Sequence, residues 1–131
     1  MKRSTLLRTF VCLVMIAGFA VAQDRPPECP FKTVHLVNLD TAQEAKLTRT
    51  LTQYNEAMAK AGYPNARYRL YKAGGQGPYT HLWEGTWSGR EEYEKIHNLP
   101  IYQEASSLIK DLAPLMENEV YNRFVEIPTR K

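Results

Sequence analysis

The chain has 131 residues, 44% of them apolar and 24% charged, with 17 basic residues against 14 acidic ones. That composition describes a single globular domain and excludes a disordered polyelectrolyte. The basic excess lies at the N-terminus in Lys2, Arg3 and Arg8; without them the charges balance, which removes the basis for a nucleic-acid-binding surface.

Residues 1–22 combine a basic start with the apolar run "TFVCLVMIAGFAVA" and end in Ala20-Val21-Ala22. A spanning helix needs about 20 apolar residues, so the pattern reads as a secretory signal peptide cleaved after Ala22. The exported protein is expected in the periplasm, without stable membrane insertion. Cys12 has no lipobox before it, so a lipoprotein is not indicated. Residues 23–32 read as a flexible linker, because "DRPPECP" is proline-rich. Cys29 alone survives cleavage, which rules out an internal disulfide and leaves a free thiol or an intermolecular bridge. The domain is expected over residues 33–127, with a tail at 128–131.

"TVHLVNL" (33–39) is short and rich in Val and Leu, as a buried strand would be. Thr41 followed by Glu44 fits a capping box, and Leu47, Leu51, Tyr54, Met58 and Ala61 then form one apolar helical stripe. Gly62 suits the helix end and Pro64 prevents continuation. "ARYRLYK" (66–72) alternates, with Tyr68 and Leu70 on one face and Arg67, Arg69 and Tyr71 on the other. "AGGQGP" (73–78) is a loop without a phosphate-cradle pattern. The next strand, 79–87, contains "HLWEGTW". By parity His81, Trp83, Gly85 and Trp87 share one face, and Leu82, Glu84 and Thr86 the other. Gly85 marks either a bulge or the close approach of another group, and a bulge would turn Trp87 over.

Ser88 and Glu91 form a second capping-box pattern ahead of a helix through Tyr93, Ile96 and His97. "HNLP" interrupts it, and Pro100 suits the first turn of a renewed helix. Leu108, Ile109, Leu112 and Leu115 line its apolar side, and Pro114 ends or kinks it. "EVYNRFVEI" (119–127) is the last strand. The order β-α-β-β-α-β is the ferredoxin-like α+β unit, one antiparallel sheet with two helices on one face. The other face needs a cover, and a homodimer packed sheet against sheet supplies it.

The stretch "LWEGTWSGREEYEKIHNLPIYQEA" resembles the dimeric α/β-barrel superfamily, above all its antibiotic-biosynthesis-monooxygenase type; stress-responsive A/B-barrel and NIPSNAP-type proteins are also similar. The resemblance rests on Glu84, Trp87, His97, Pro100 and Tyr102, within an element order running from Thr33 to Ile127. It implies a dimeric α/β barrel with a pocket between sheet and helices in each subunit. The superfamily includes cofactor-independent oxygenases, decarboxylases and haem-degrading enzymes, so fold does not set function. Haem-degrading members carry their iron-ligating histidine near where Ser106 and Ser107 stand here, and a hydroxyl does not replace an imidazole on iron.

Candidate catalytic groups are His97, His81 and Glu84. His97 matches a histidine of the family pattern, although a hydrogen bond in helix packing would equally account for it. Glu84 has two readings, a cross-strand pair with Arg67 or Arg69, or a general base or ligand-orienting acceptor. His35, His81 and His97 have no metal-ligand spacing, so no metal is expected, and no cofactor is implied. Trp83, Trp87, Tyr68 and Tyr102, with Tyr71 and Tyr79, offer aromatic walls with polar tips that suit a pocket or a dimer core. Asn38 is a further polar contact carried by no motif. No nucleophile arrangement is present. Three functions follow: binding of a small aromatic or apolar molecule, cofactor-independent oxygenation or related proton transfer, and a non-catalytic interaction module.

Overall fold

The computed structural model describes residues 25–112, 114 and 118–129. The expected signal peptide and the Leu115 position lie outside the described residues. Among the described residues four strands and three helices follow in chain order: β1 (Phe31–Val37), α1 (Thr41–Lys60), β2 (Tyr68–Lys72), β3 (His81–Trp87), α2 (Arg90–His97), α3 (Pro100–Lys110) and β4 (Val120–Val125). They form one sheet in the order β2-β3-β1-β4, with every neighbouring pair antiparallel. The fold is ferredoxin-like α+β, its second helical segment broken ahead of Pro100 as expected.

Register explains where β1 and β3 begin. Phe31 pairs with Trp87 and Val37 with His81. β1 therefore starts at Phe31, ahead of the expected Thr33, and β3 starts at His81 rather than at 79. Both strands are set by their common ladder. The residues before them are held too: Arg90 donates to the Pro26 carbonyl at 2.7 Å and pairs with Glu28 at 2.9 Å, so this part of the proline-rich segment lies against α2.

Both capping-box readings need correction. Asp40, one residue ahead of Thr41, caps α1: its carboxylate accepts from the Gln43 amide at 2.8 Å, and the Gln43 side chain accepts from the Asp40 amide at 2.9 Å. A carboxylate at the cap gains from the helix dipole as well as the hydrogen bond. At α2 no side chain caps the helix; the Ser88 amide donates instead to Glu92 at 2.5 Å, and Glu91 does not take part. The end of α1 runs as expected, with Gly62 at φ 94° and the Tyr63 amide closing on the Met58 carbonyl.

The core lies on one face of the sheet. Leu47, Leu51, Tyr54 and Met58 of α1 and Ile96, Tyr102 and Ala105 of α2 and α3 pack on Phe31, Val37, Tyr68, Trp83 and Trp87. The alternation of β3 runs unbroken to Trp87, so both tryptophans face the helices. Gly85 makes room for this arrangement. A Cβ there would come within 2.8 Å of the Tyr68 ring and 3.0 Å of the Thr33 hydroxyl. It marks a close approach, and the ladder carries no bulge. On the opposite face Tyr71, Val120 and Phe124 are exposed, Phe124 by 51%.

Candidate functional site

Between the sheet and the α2–α3 pair lies a cavity of about 350 Å³, lined by Thr33, His35, Tyr68, Trp83, Tyr93, His97, Tyr102, Gln103, Ser106, Ile109, Lys110 and Tyr121. The sheet order builds it. β1 and β3 are the central strands, so their helix-facing residues His35 and Trp83 sit side by side, paired in register. β4 beside β1 adds Tyr121 opposite His35. From above, α2 contributes Tyr93 and His97, one turn apart, and α3 contributes Tyr102.

The walls are stacked rings. His35 lies on Trp83 with centroids 3.5 Å apart and planes 9° apart, and His97 lies on Tyr93 at 3.6 Å. Tyr102 tilts against His97 at 4.2 Å, and Trp87 supports His97 from below at 4.9 Å. Arg123 closes one edge, its guanidinium over the Tyr93 and Tyr121 rings and its Nε donating to the Tyr121 hydroxyl at 3.1 Å.

The hydrogen bonds fix what these groups offer a ligand. His97 Nδ1 lies 2.6 Å from the Tyr93 carbonyl oxygen. A carbonyl only accepts, so Nδ1 carries the proton and Nε2 is the ring's acceptor. Burial pushes the His97 pKa down, helped by the Arg123 charge and opposed by the bond to Tyr93. His35 Nδ1 bonds the Glu119 carboxylate, which again leaves Nε2 as the ring's second nitrogen. The Tyr68 and Tyr102 hydroxyls bond each other at 3.2 Å, and burial raises both phenol pKa values, which keeps them neutral. Trp83 is 4% exposed, and its indole Nε1 is buried with no hydrogen-bond partner among the described residues. An orphaned buried donor of this kind costs about 1–3 kcal/mol.

The structure brings His97, Trp83, Tyr68 and Tyr102 to this cavity and places Trp87 directly beneath it, with its Nε1 donating to the Thr33 hydroxyl at 3.2 Å. The other expected site residues lie elsewhere. His81 is buried at the far end of β3, between Glu44 at 2.9 Å and the Thr80 hydroxyl at 2.8 Å. Glu44 also binds Lys72 at 2.7 Å; the bonds to Lys72 and His81 hold its carboxyl below the usual range, and the group ties α1 to the sheet. Asn38 bonds the Pro78 carbonyl and the Thr80 amide, pinning the loop before β3. Glu84 faces the opposite side of the sheet. Its partner is Lys32 at 3.0 Å, with the Tyr71 hydroxyl at 3.3 Å, and neither Arg67 nor Arg69 bonds it. It lines an open concavity of about 860 Å³ on the uncovered face, together with both arginines.

Tyr93 and Tyr121 line the cavity without having been singled out as ligand contacts, His35 stands among them, and Glu119 joins them through His35. Alternation carries a signal for two of them: His35 shares parity with Thr33 and Val37, and Tyr121 with Arg123 and Val125. Ser106 reaches the cavity wall, its hydroxyl donating to the Gln103 carbonyl at 3.2 Å. Among the described residues no cluster of three His, Cys, Asp or Glu could hold a metal ion, and no helix is long and apolar enough to cross a membrane.

No protein-family model and no curated protein matches the chain. Solved structures do. A protein of Arabidopsis thaliana is 12% identical over 78% of this chain and 99% of its own, with a TM-score of 0.56. A protein of Caulobacter crescentus proposed to be an antibiotic biosynthesis monooxygenase is 12% identical over 79% of this chain and 94% of its own, also at 0.56. The hydroxynitrile lyase of Passiflora edulis is 13% identical over 80% of this chain and all of its own, at 0.53. At such identities the likeness is one of fold, and it is the fold that the superfamily resemblance implied.

Proposed function

We propose that this protein binds a small, flat molecule in the cavity between the sheet and α2–α3. The observation that carries the reading is a cavity walled by stacked rings, to which Trp83, whose buried indole N–H has no partner among the described residues, contributes one wall. The aromatic walls favour a planar occupant. The cavity volume of about 350 Å³ suits one or two rings. The His35 and His97 Nε2 atoms offer acceptors, so the occupant carries a hydroxyl or N–H donor.

The protein acts as a homodimer in this reading, with a second copy covering Tyr71, Val120 and Phe124 on the open sheet face. Export through residues 1–22 and cleavage after Ala22 deliver it to the periplasm. The runner-up is a cofactor-independent oxygenase or related proton-transfer enzyme; the two histidines at the cavity favour it over an interaction module, whose interior would be filled.

Native mass spectrometry of the protein purified from its own host tests all three parts. The expected spectrum is a dimer of chains beginning at Gln23, each carrying one reproducible small-molecule mass that disappears in Trp83→Phe. A clean, unoccupied dimer whose Trp83→Phe variant is indistinguishable from it would overturn the binding reading. A monomer would overturn the assembly, and an intact N-terminus the export.

A further inference from the structure

The two histidines of the cavity are built differently, and the difference assigns them different work. His97 donates its Nδ1 proton to a neutral backbone carbonyl, is half-buried, and has the Arg123 cation nearby. Each of these surroundings disfavours a second proton on the ring except the carbonyl bond. His97 is therefore a neutral acceptor. His35 has its Nδ1 on a carboxylate, Glu119, brought to it by the pairing of β1 with β4. One face of its ring lies flat on the Trp83 indole, the geometry in which an aromatic face stabilises a cation. Its Nε2 bonds no described group, and the residue lines the cavity. A histidine with a carboxylate behind it and a bare Nε2 in front is the arrangement of a general base held by an orienting acid.

Resting on the binding reading above, we propose that His35 is the proton acceptor of the cavity, with Glu119 as its positioning residue, and that the occupant is a molecule bearing an acidic hydroxyl, such as a phenol or enol. The O–H bond of the occupant breaks, its electron pair stays on oxygen, and the proton passes to His35 Nε2. The imidazolium so formed is shared between Glu119 and the indole face. The oxyanion stays beside the imidazolium as an ion pair. Glu119 serves twice, by fixing the proton on Nδ1 and by holding the charge that appears on the ring.

Two readouts on the exported protein test this. In the ring nitrogen spectrum of ¹⁵N-histidine-labelled protein, His35 shows the proton on Nδ1 and a bare Nε2. In Glu119→Ala that preference is lost, and in Glu119→Asp it is kept. The second readout uses para-nitrophenol, whose phenolate is coloured. The wild-type protein binds it and converts it to phenolate at a pH where the free probe is protonated. Glu119→Gln still binds, with the ratio of bound phenolate to bound phenol reduced about tenfold or more, the effect of removing an adjacent opposite charge. A wild-type His35 protonated on Nε2 overturns the inference, as does a probe ionised equally well in Glu119→Gln; the binding reading survives both. A wild-type protein that binds no para-nitrophenol removes the proposed acidic-hydroxyl occupant, and the base with it.

Discussion

Gly85 of β3 lies under the ring of Tyr68 on β2, so close that a single added carbon would stand 2.8 Å from the ring edge. This contact lets the Tyr68 ring cross the sheet surface and reach Tyr102 with its hydroxyl, and so it sets one wall of the cavity. Gly85→Ala is expected to destabilise the fold by about 1–3 kcal/mol through overpacking. Urea denaturation measures it. A loss well under that range would mean that Tyr68 moves aside freely.

The start of α1 offers a sharper comparison, between neighbouring residues. Asp40→Ala should lower stability by about 1 kcal/mol, because the Gln43 amide loses its acceptor. Thr41→Ala should change it by less than about half of that, since Asp40 and not Thr41 caps the helix. Equal losses in the two variants would contradict the cap assignment.

Much of this fold is legible in the sequence. The apolar stripe from Leu47 to Met58, the Gly62 end and the break before Pro100 each follow from local chemistry, and they lead directly to the element order. The site is only partly legible. His97, Trp83, Tyr68 and Tyr102 line one cavity, but the closeness of neighbours in "HLWEGTW" is misleading. Adjacent strand residues face opposite sides, so Glu84 cannot join Trp83. His81 and Trp87 share a face yet stand roughly 20 Å apart along the strand. His35 and Glu119 meet only through the pairing of the first strand with the last, which no local pattern encodes.

The pH dependence of stability carries a signature of His97. Burial lowers its pKa below the ordinary 6.5, so as pH falls through that value the unfolded chain takes up a proton before the folded one does. Stability contributed by the neutral ring is therefore intact above 6.5 and declines as pH falls from there toward the lowered folded value. His97→Gln should flatten this part of the acid limb in melting temperatures recorded across pH. An unchanged limb would place the loss on other groups.

The proposed dimer packs through the open face of the sheet. Phe124, exposed by 51%, stands on it near Lys32, to which it is paired in register. Phe124→Lys is expected to turn a dimer into a monomer, because it buries an unpaired charge on each side of a self-complementary interface. Sedimentation of the variant beside the wild type reads this directly. A variant that remains dimeric would move the interface elsewhere.

The central claim is that an occupant stands against the Trp83 wall of the cavity, and the indole region of a proton–nitrogen NMR spectrum tests it most directly. Trp87 is a built-in reference, because its Nε1 already donates to Thr33. The protein purified from its host is recorded, unfolded, freed of small molecules, refolded and recorded again. The account predicts that the Trp83 signal shifts while the Trp87 signal holds, and that adding back the extracted small molecules restores it. Two indole signals unmoved through the whole cycle would contradict it.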